Sequence, residues 1–174
     1  MTKNLHSQSG KYLTFFIAEE MYGVPIEMVR EIIGSTKITQ VPESPKVVKG
    51  VINLRGKIVP MISIRTKFGL EEVSFRKETC FIIIDVGTIQ VGVIVDTVKD
   101  VKEFTKDQLE LADEMHGWHA NEYLIGMGKT ADQTVVILID LAKALSSESF
   151  ASIITEAKSL PSGEEEDANH KNVA

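Results

Sequence analysis

Residues 81–101 read FIIIDVGTIQVGVIVDTVKDV, and residues 12–32 read YLTFFIAEEMYGVPIEMVREI. Moved by 69 positions, the two stretches align without a gap. Tyr12 meets Phe81, Leu13 meets Ile82 and Phe15 meets Ile84. Gly23 meets Gly92, Glu27 meets Asp96, Val29 meets Val98, Glu31 meets Asp100 and Ile32 meets Val101. Glycines and acids recur along with the apolar residues, which a chance match between two strand-like segments does not require. Further on, Lys57–Ile64 (KIVPMISI) is like Thr134–Leu141 (TVVILIDL) at a spacing of 77, the added residues falling in a longer loop around Asp113 to Asn121. The chain reads as two copies of one β-rich unit.

Tyr12–Ile17 and Thr79–Val86 are short, rich in β-branched and aromatic residues, and end at turn-prone points, as strands do. Gly87-Thr88 predicts a tight hairpin to Ile89–Val95, and Ala18–Met21 its counterpart in the first copy. Val135–Ile139 has no polar residue on either face, which predicts a strand covered on both sides. Helix signals are few. Ser44-Pro45 opens a single turn, and Leu141, Ala144 and Leu145 stand at helical spacing. Ser147–Leu160, with Phe150, Ile153 and Ile154, predicts a closing helix. Short strands at regular intervals with few helices point to small barrels.

The 174 residues carry a net charge of −6, which argues against general nucleic-acid binding and against docking on anionic lipid. A single cysteine, Cys80, permits no internal disulfide and fits a reducing cytoplasm. Met1–Gly10 lacks the apolar stretch of a secretion signal, and the longest apolar run, Val135–Ile139, is too short to span a bilayer. Residues 1–10 and 161–174 (PSGEEEDANHKNVA) read as disordered tails.

Motifs for chemistry are scarce. No phosphate-cradling glycine pattern and no nucleophile elbow is present. His116 and His119 have a spacing that can share a metal on a helix, but Gly117 interrupts any helix and no acid or cysteine completes the set, so they read as a surface loop. Cys80 reads as a small core residue, and Asp85, Asp96 and Asp100 as solvated strand edges. Asn53 and Arg55 fall on a hairpin bend where Gly56 can take a positive φ. Arg55 is suited to bidentate recognition of a carboxylate, or is a solvated arginine on a polar turn.

Asn53-Leu54-Arg55-Gly56 followed by Val59-Pro60 resembles the signature of the CheW family of bacterial chemotaxis coupling proteins. The same family pattern is matched by Tyr22-Gly23-Val24, Val29-x-Glu31-Ile32, Lys49-Gly50-Val51, Gly92–Asp96 and Tyr123-Leu124-x-Gly126, so the resemblance runs from about Lys11 to Leu145. It implies a mostly β fold of two SH3-like five-stranded β-barrels packed side by side, with short helices and a C-terminal helix. The domain would be residues 11–160, with one barrel at about 18–78 and the other at about 79–141. The N-terminal strand and the C-terminal helix would cross between them. It also implies a non-enzymatic adaptor with no cofactor and no metal. Its partners would be the regulatory domain of the histidine kinase CheA and the cytoplasmic tip of chemoreceptors (methyl-accepting chemotaxis proteins), without nucleic acid or direct membrane contact. It would be cytoplasmic, recruited to receptor arrays at the inner face of the membrane. Carried onto this chain, Glu31, Lys49 and Arg55 would be polar contributors to a receptor groove, with Val29 and Ile32 as apolar neighbours and Val98 and Val101 as their counterparts. The other role open to Arg55 is support of the fold by pairing with Glu31. Ile38 and Val41 would face the kinase.

Overall fold

The structure is a computed structural model that describes residues 10–115 and 122–145. The chain runs β1 (Gly10–Ile17), β2 (Glu20–Pro25), β3 (Val29–Gly34), β4 (Val48–Leu54), β5 (Lys57–Ser63), α1 (Ile64–Lys67), β6 (Cys80–Val86), β7 (Ile89–Val95), β8 (Thr97–Phe104), β9 (Leu109–Leu111), β10 (Leu124–Lys129), β11 (Val135–Ile139) and α2 (Leu141–Leu145). Turn chemistry sets most boundaries. At the β4–β5 hairpin both central residues take positive φ, Arg55 at 50° and Gly56 at 84°, the backbone of a two-residue hairpin turn that follows the strand twist. Asn53 Oδ1 accepts the Gly56 N–H at 2.8 Å and fixes that bend. Gly87, at φ 61°, turns β6 into β7 as expected. The β1–β2 turn is tighter than Ala18–Met21, because Met21 already pairs with Phe16. The Pro45 turn closes with Val48 N–H donating to the Pro45 carbonyl at 2.9 Å, and α2 buries Leu141, Ala144 and Leu145. The helix expected over 147–160 lies outside the described residues.

The fold is mostly β and has two sheets. One has five strands in the order β3-β6-β7-β5-β4, and the other six in the order β8-β1-β2-β11-β10-β9. Two corrections to the expected barrels follow. Neither sheet closes on itself through backbone pairing: β3 and β4 are edges of one, β8 and β9 of the other. Nor do the sheets divide at residue 79, since β6 and β7 join β3–β5 while β1 and β2 join β8–β11. The reason is the crossover after each hairpin. β3 leaves the β1–β2 hairpin to pair with β6, and β8 leaves the β6–β7 hairpin to pair with β1.

The sequence repeat reappears in the register. Val29↔Ile84 and Ile32↔Ile82 in one sheet correspond, at the repeat spacing, to Val98↔Phe15 and Val101↔Leu13 in the other. The parallel pair Met61↔Gly92 corresponds to Leu138↔Gly23. Gly50↔Met61 corresponds to Gly126↔Leu138, each glycine following a shift in register. Both of these glycines are required by close approach. A Cβ on Gly50 would overlap the Thr39 carbonyl oxygen, and one on Gly126 the Glu110 carbonyl oxygen. Thr39, bridged to Val51, thus does for β4 what β9 does for β10.

The largest core lies between the sheets. Leu13, Phe15, Ile17 and Val24 of the six-stranded sheet pack there with Ile82, Ile84, Val91, Val93 and Val95 of the five-stranded sheet, and Leu141 and Leu145 close it. Each sheet also wraps a smaller core on its other face. One is Tyr12, Met21, Phe104, Ile125, Val136 and Leu138, and the other Ile52, Val59, Met61, Phe81 and Ile83. Alternate residues of the central strands β1 and β6 therefore face two different cores, which is why Phe81–Ile84 reads as a continuous apolar run and Tyr12–Ile17 is broken only by the buried Thr14.

Candidate functional site

The site is built on β3 and β8, the two edge strands related by the repeat. In an ordinary strand, residues three apart point to opposite faces. Here each edge strand carries one extra residue. On β3, Val29 pairs with Ile84 and Glu31 with Ile83, so Arg30 is the insertion. On β8, Val98 pairs with Phe15 and Val101 with Leu13, so Thr14 alone stands opposite Lys99 and Asp100. These bulges reset the alternation. Val29 and Ile32 then share the face of Ile82 and Ile84, and Val98 and Val101 that of Leu13 and Phe15. All four valine and isoleucine side chains lie on the faces turned toward the central core. Val29 and Val98 are half-buried against that core, while Ile32 is 41% and Val101 50% exposed. Each sheet thus offers an apolar pair at its edge, one member anchored and one open to solvent.

Polar groups flank the pairs. Glu31, on the opposite face of β3 from Val29, receives a hydrogen bond from the Arg55 guanidinium at the tip of the β4–β5 hairpin. Lys49 is committed elsewhere, to Glu72 at 3.3 Å. Glu72 also accepts from the Ser63 and Thr66 hydroxyls. Burial pushes the Glu72 carboxyl up, but these hydrogen bonds and the Lys49 charge outweigh it and hold its pKa below the ordinary value. The structure therefore joins Glu31 to Arg55 and sets Lys49 in a separate cluster.

The CheW-like domain family matches residues 11–149. The chain belongs to this family. It is 40% identical over 149 residues to the chemotaxis protein CheW of Klebsiella aerogenes, covering 86% of this chain and 89% of that one. It is 32% identical over 128 residues to the chemotaxis protein CheW of Helicobacter pylori, covering 74% and 77%. Among solved structures, the scaffolding protein TtCheW from Thermoanaerobacter tengcongensis superposes with a TM-score of 0.71 at 31% identity, over 81% of this chain and 95% of that one.

This CheW-like chain also contains a cluster that sequence reasoning missed. Asp96, read from sequence as a solvated edge, stands where the chain crosses from β7 to β8 and is engaged on three sides. Arg65 of α1 donates to it through Nε at 2.9 Å and through Nη2, and the Ala18 N–H donates at 2.6 Å. Burial pushes the Asp96 carboxyl up, but the Arg65 and Ala18 hydrogen bonds, with the charges of Arg65 and Arg76, hold it below the ordinary aspartate range. Its sequence signals were its match to Glu27 in the repeat and its place at the end of the Gly92–Asp96 family pattern. A cavity of about 620 Å³ opens beside this cluster, lined in part by Phe16, Arg65, Val73, Arg76, Thr79 and Thr97. None of the edge-strand candidates lines it. Asp85 and Asp100 stay more open, the former paired with Arg30 at 3.3 Å. Cys80 is half-buried against the central core.

Ile38 packs under the β4 edge beside Thr39, and Val41 is half-buried where its carbonyl accepts the Ser44 hydroxyl at 2.9 Å. Among the described residues no three His, Cys, Asp or Glu side chains gather as a metal site, and no helix is long and apolar enough to cross a membrane. His116 and His119 lie outside the described residues.

Proposed function

We propose that this CheW-like chain is a non-enzymatic adaptor of chemotaxis signalling, coupling chemoreceptors to the histidine kinase CheA in the cytoplasm, at arrays beneath the membrane. The observation that carries the reading is the pair of bulged edge strands in a member of this family. Each bulge turns an apolar pair toward the seam between the sheets. Such a rim suits an amphipathic helical hairpin laid into a groove. Apolar side chains supply contact area there, and flanking charges set the register of the partner.

The receptor-facing set is Val29, Glu31, Ile32, Lys49, Arg55, Val98 and Val101. Ile38 and Val41, along the β4 edge, face the kinase regulatory domain. The experiment is a pull-down with a receptor cytoplasmic fragment and, separately, with the CheA regulatory domain. Arg55→Glu should lose the receptor fragment while keeping its circular dichroism spectrum and its hold on the kinase domain. Unchanged receptor binding by a folded Arg55→Glu variant would sink the assignment of this face.

A further inference from the structure

The two bulges are built alike up to one point. On β3 the inserted Arg30 reaches across to Asp85 at 3.3 Å. On β8 the equivalent Lys99 reaches across to the equivalent position, where its ammonium lies 5.8 Å from the centre of the Phe16 ring. The next residue in each strand is an acid, Glu31 in one and Asp100 in the other. Glu31 is held by Arg55 from the β4–β5 hairpin. The corresponding β10–β11 connection carries Ala131 and Asp132, so no arginine is available for Asp100. Asp100 Oδ2 instead pairs with Lys102 on its own strand at 3.5 Å, and a second group holds the other carboxylate oxygen. Thr14, a fully buried hydroxyl on β1, shares its proton between the Asp100 carbonyl oxygen at 2.8 Å and Oδ1 at 2.7 Å. The Asp100 N–H donates back to Thr14 Oγ1 at 3.3 Å.

We propose that Thr14 is a positioning residue for the second edge: by binding both the backbone and the carboxylate of Asp100, it pins the β8 bulge that keeps Val98 and Val101 on one face. The physical reason is local. A bulge leaves backbone groups of the longer strand without ladder partners. In β8 one such amide and one such carbonyl belong to Asp100, and a single buried hydroxyl satisfies both. Without that hydroxyl both groups are left unsatisfied beside the core, and the bulge loses the contact that fixes it. A one-residue change of register turns every later side chain to the other face. Val101 would then point away from the seam while Val98 stayed. Thr14 touches no partner and acts only through Asp100.

This inference rests on the reading of Val98 and Val101 as receptor contacts, and its test separates the two. Thr14→Val keeps the shape and removes the hydroxyl, and Thr14→Ser keeps the hydroxyl. In full-length protein, nuclear Overhauser contacts between Leu13 and Val101 report the register, and titration of a receptor cytoplasmic fragment reports the contact. Thr14→Val should lose the Leu13–Val101 pairing and weaken receptor binding about ten-fold, as when one central interface side chain is lost. Thr14→Ser should restore both, and binding to the CheA regulatory domain should hold throughout. Asp100→Ala removes the carboxylate from the other side and serves if Thr14→Val does not fold. It should weaken receptor binding less, because the backbone bonds remain. A Thr14→Val protein that keeps the register and full receptor binding overturns the proposal, and so, where that variant does not fold, does an Asp100→Ala protein whose receptor binding is unchanged. Val101→Glu in the native background tests the underlying reading: if it binds receptor normally, that reading fails, and the Leu13–Val101 register alone then decides the role of Thr14.

Discussion

Arg55, at the tip of the β4–β5 hairpin, pairs with Glu31 on β3, and the pair spans from one side of the five-stranded sheet to its opposite edge. The sheet curls around its inner core of Ile52, Val59, Met61, Phe81 and Ile83 until its far sides meet through side chains, where a closed barrel would meet through backbone. Arg55 remains 72% exposed in this pair and Glu31 23%. A pair so open to water contributes little to stability, roughly 0.2–1 kcal/mol. Arg55→Ala should therefore lower the thermal midpoint by only a few degrees. Reversing the pair, Arg55→Glu with Glu31→Arg, should recover stability that either reversal alone loses. A double-mutant cycle on thermal unfolding checks this, and a loss of several kcal/mol from Arg55→Ala would show that the tie holds far more of the sheet than its exposure allows.

Gly50 makes a sharper case. It sits at φ 135°, and a Cβ there would overlap the Thr39 carbonyl oxygen. Thr39 and Val51 exchange backbone hydrogen bonds at 2.9 Å in both directions across this approach. Gly50→Ala should combine a backbone conformation that alanine avoids with displacement of that bridge, a cost of about 2–4 kcal/mol. Hydrogen exchange at the Thr39 and Val51 amides should accelerate well beyond the rest of β4. Equal protection in the variant would mean that the segment at 38–41 moves with the strand at no cost.

Much of this was legible in the chain. The repeat showed because the structure reuses residues of every kind at equivalent places, Gly23 with Gly92 and Glu31 with Asp100 as well as the apolar pairs. Leu141, Ala144 and Leu145 gave away α2 because one short helix must bury one face. Sheet membership was not legible. Apolar alternation shows that β3 and β8 have a buried face, but not which hairpin supplies the neighbour, and both cross to the other copy. The bulges left no local mark either. Arg30 and Lys99 look like any solvated residue in a strand, and only the pairing reveals that each is an insertion. Arg55 stood out through its place on a glycine turn beside a family signature, whereas Asp96 was hidden because its three hydrogen bonds come from two residues, Arg65 and Ala18, far away in sequence.

The Asp96 cluster should leave a signature in acid. Its carboxyl is held below the ordinary range, so the folded protein binds its proton less readily than the unfolded chain does. The stability it contributes is complete above the unfolded-chain pKa of about 3.9 and is lost as pH falls through the lower folded value. Asp96→Asn should cost about 1.5–3 kcal/mol at neutral pH, the range for hydrogen bonds to a charged group. The gap between variant and native protein should narrow steadily below about pH 4. Urea unfolding at a series of pH values measures it, and a gap that stays constant into acid would show that the carboxylate charge contributes nothing.

The central core makes a final demand on how the molecule unfolds. Two beads joined by a linker would unfold separately, each with its own midpoint. Here Phe15 is fully buried from the six-stranded sheet into the same cluster as Ile82, Ile84 and Val93 of the five-stranded one. The crossovers through β3 and β8 stitch the same two sheets together covalently. Neither sheet can lose its partner without exposing that shared core. Phe15→Ala should therefore cost about 3–5 kcal/mol, the range for a large-to-small change at a buried aromatic. The loss should lower stability across both sheets at once. Calorimetry should show one transition in the native protein and one, at lower temperature, in the variant, with calorimetric and van't Hoff enthalpies in agreement. A second transition, or a Phe15→Ala protein in which β4 and β5 keep native hydrogen-exchange protection while β1 and β2 lose theirs, would show that the halves are separable after all.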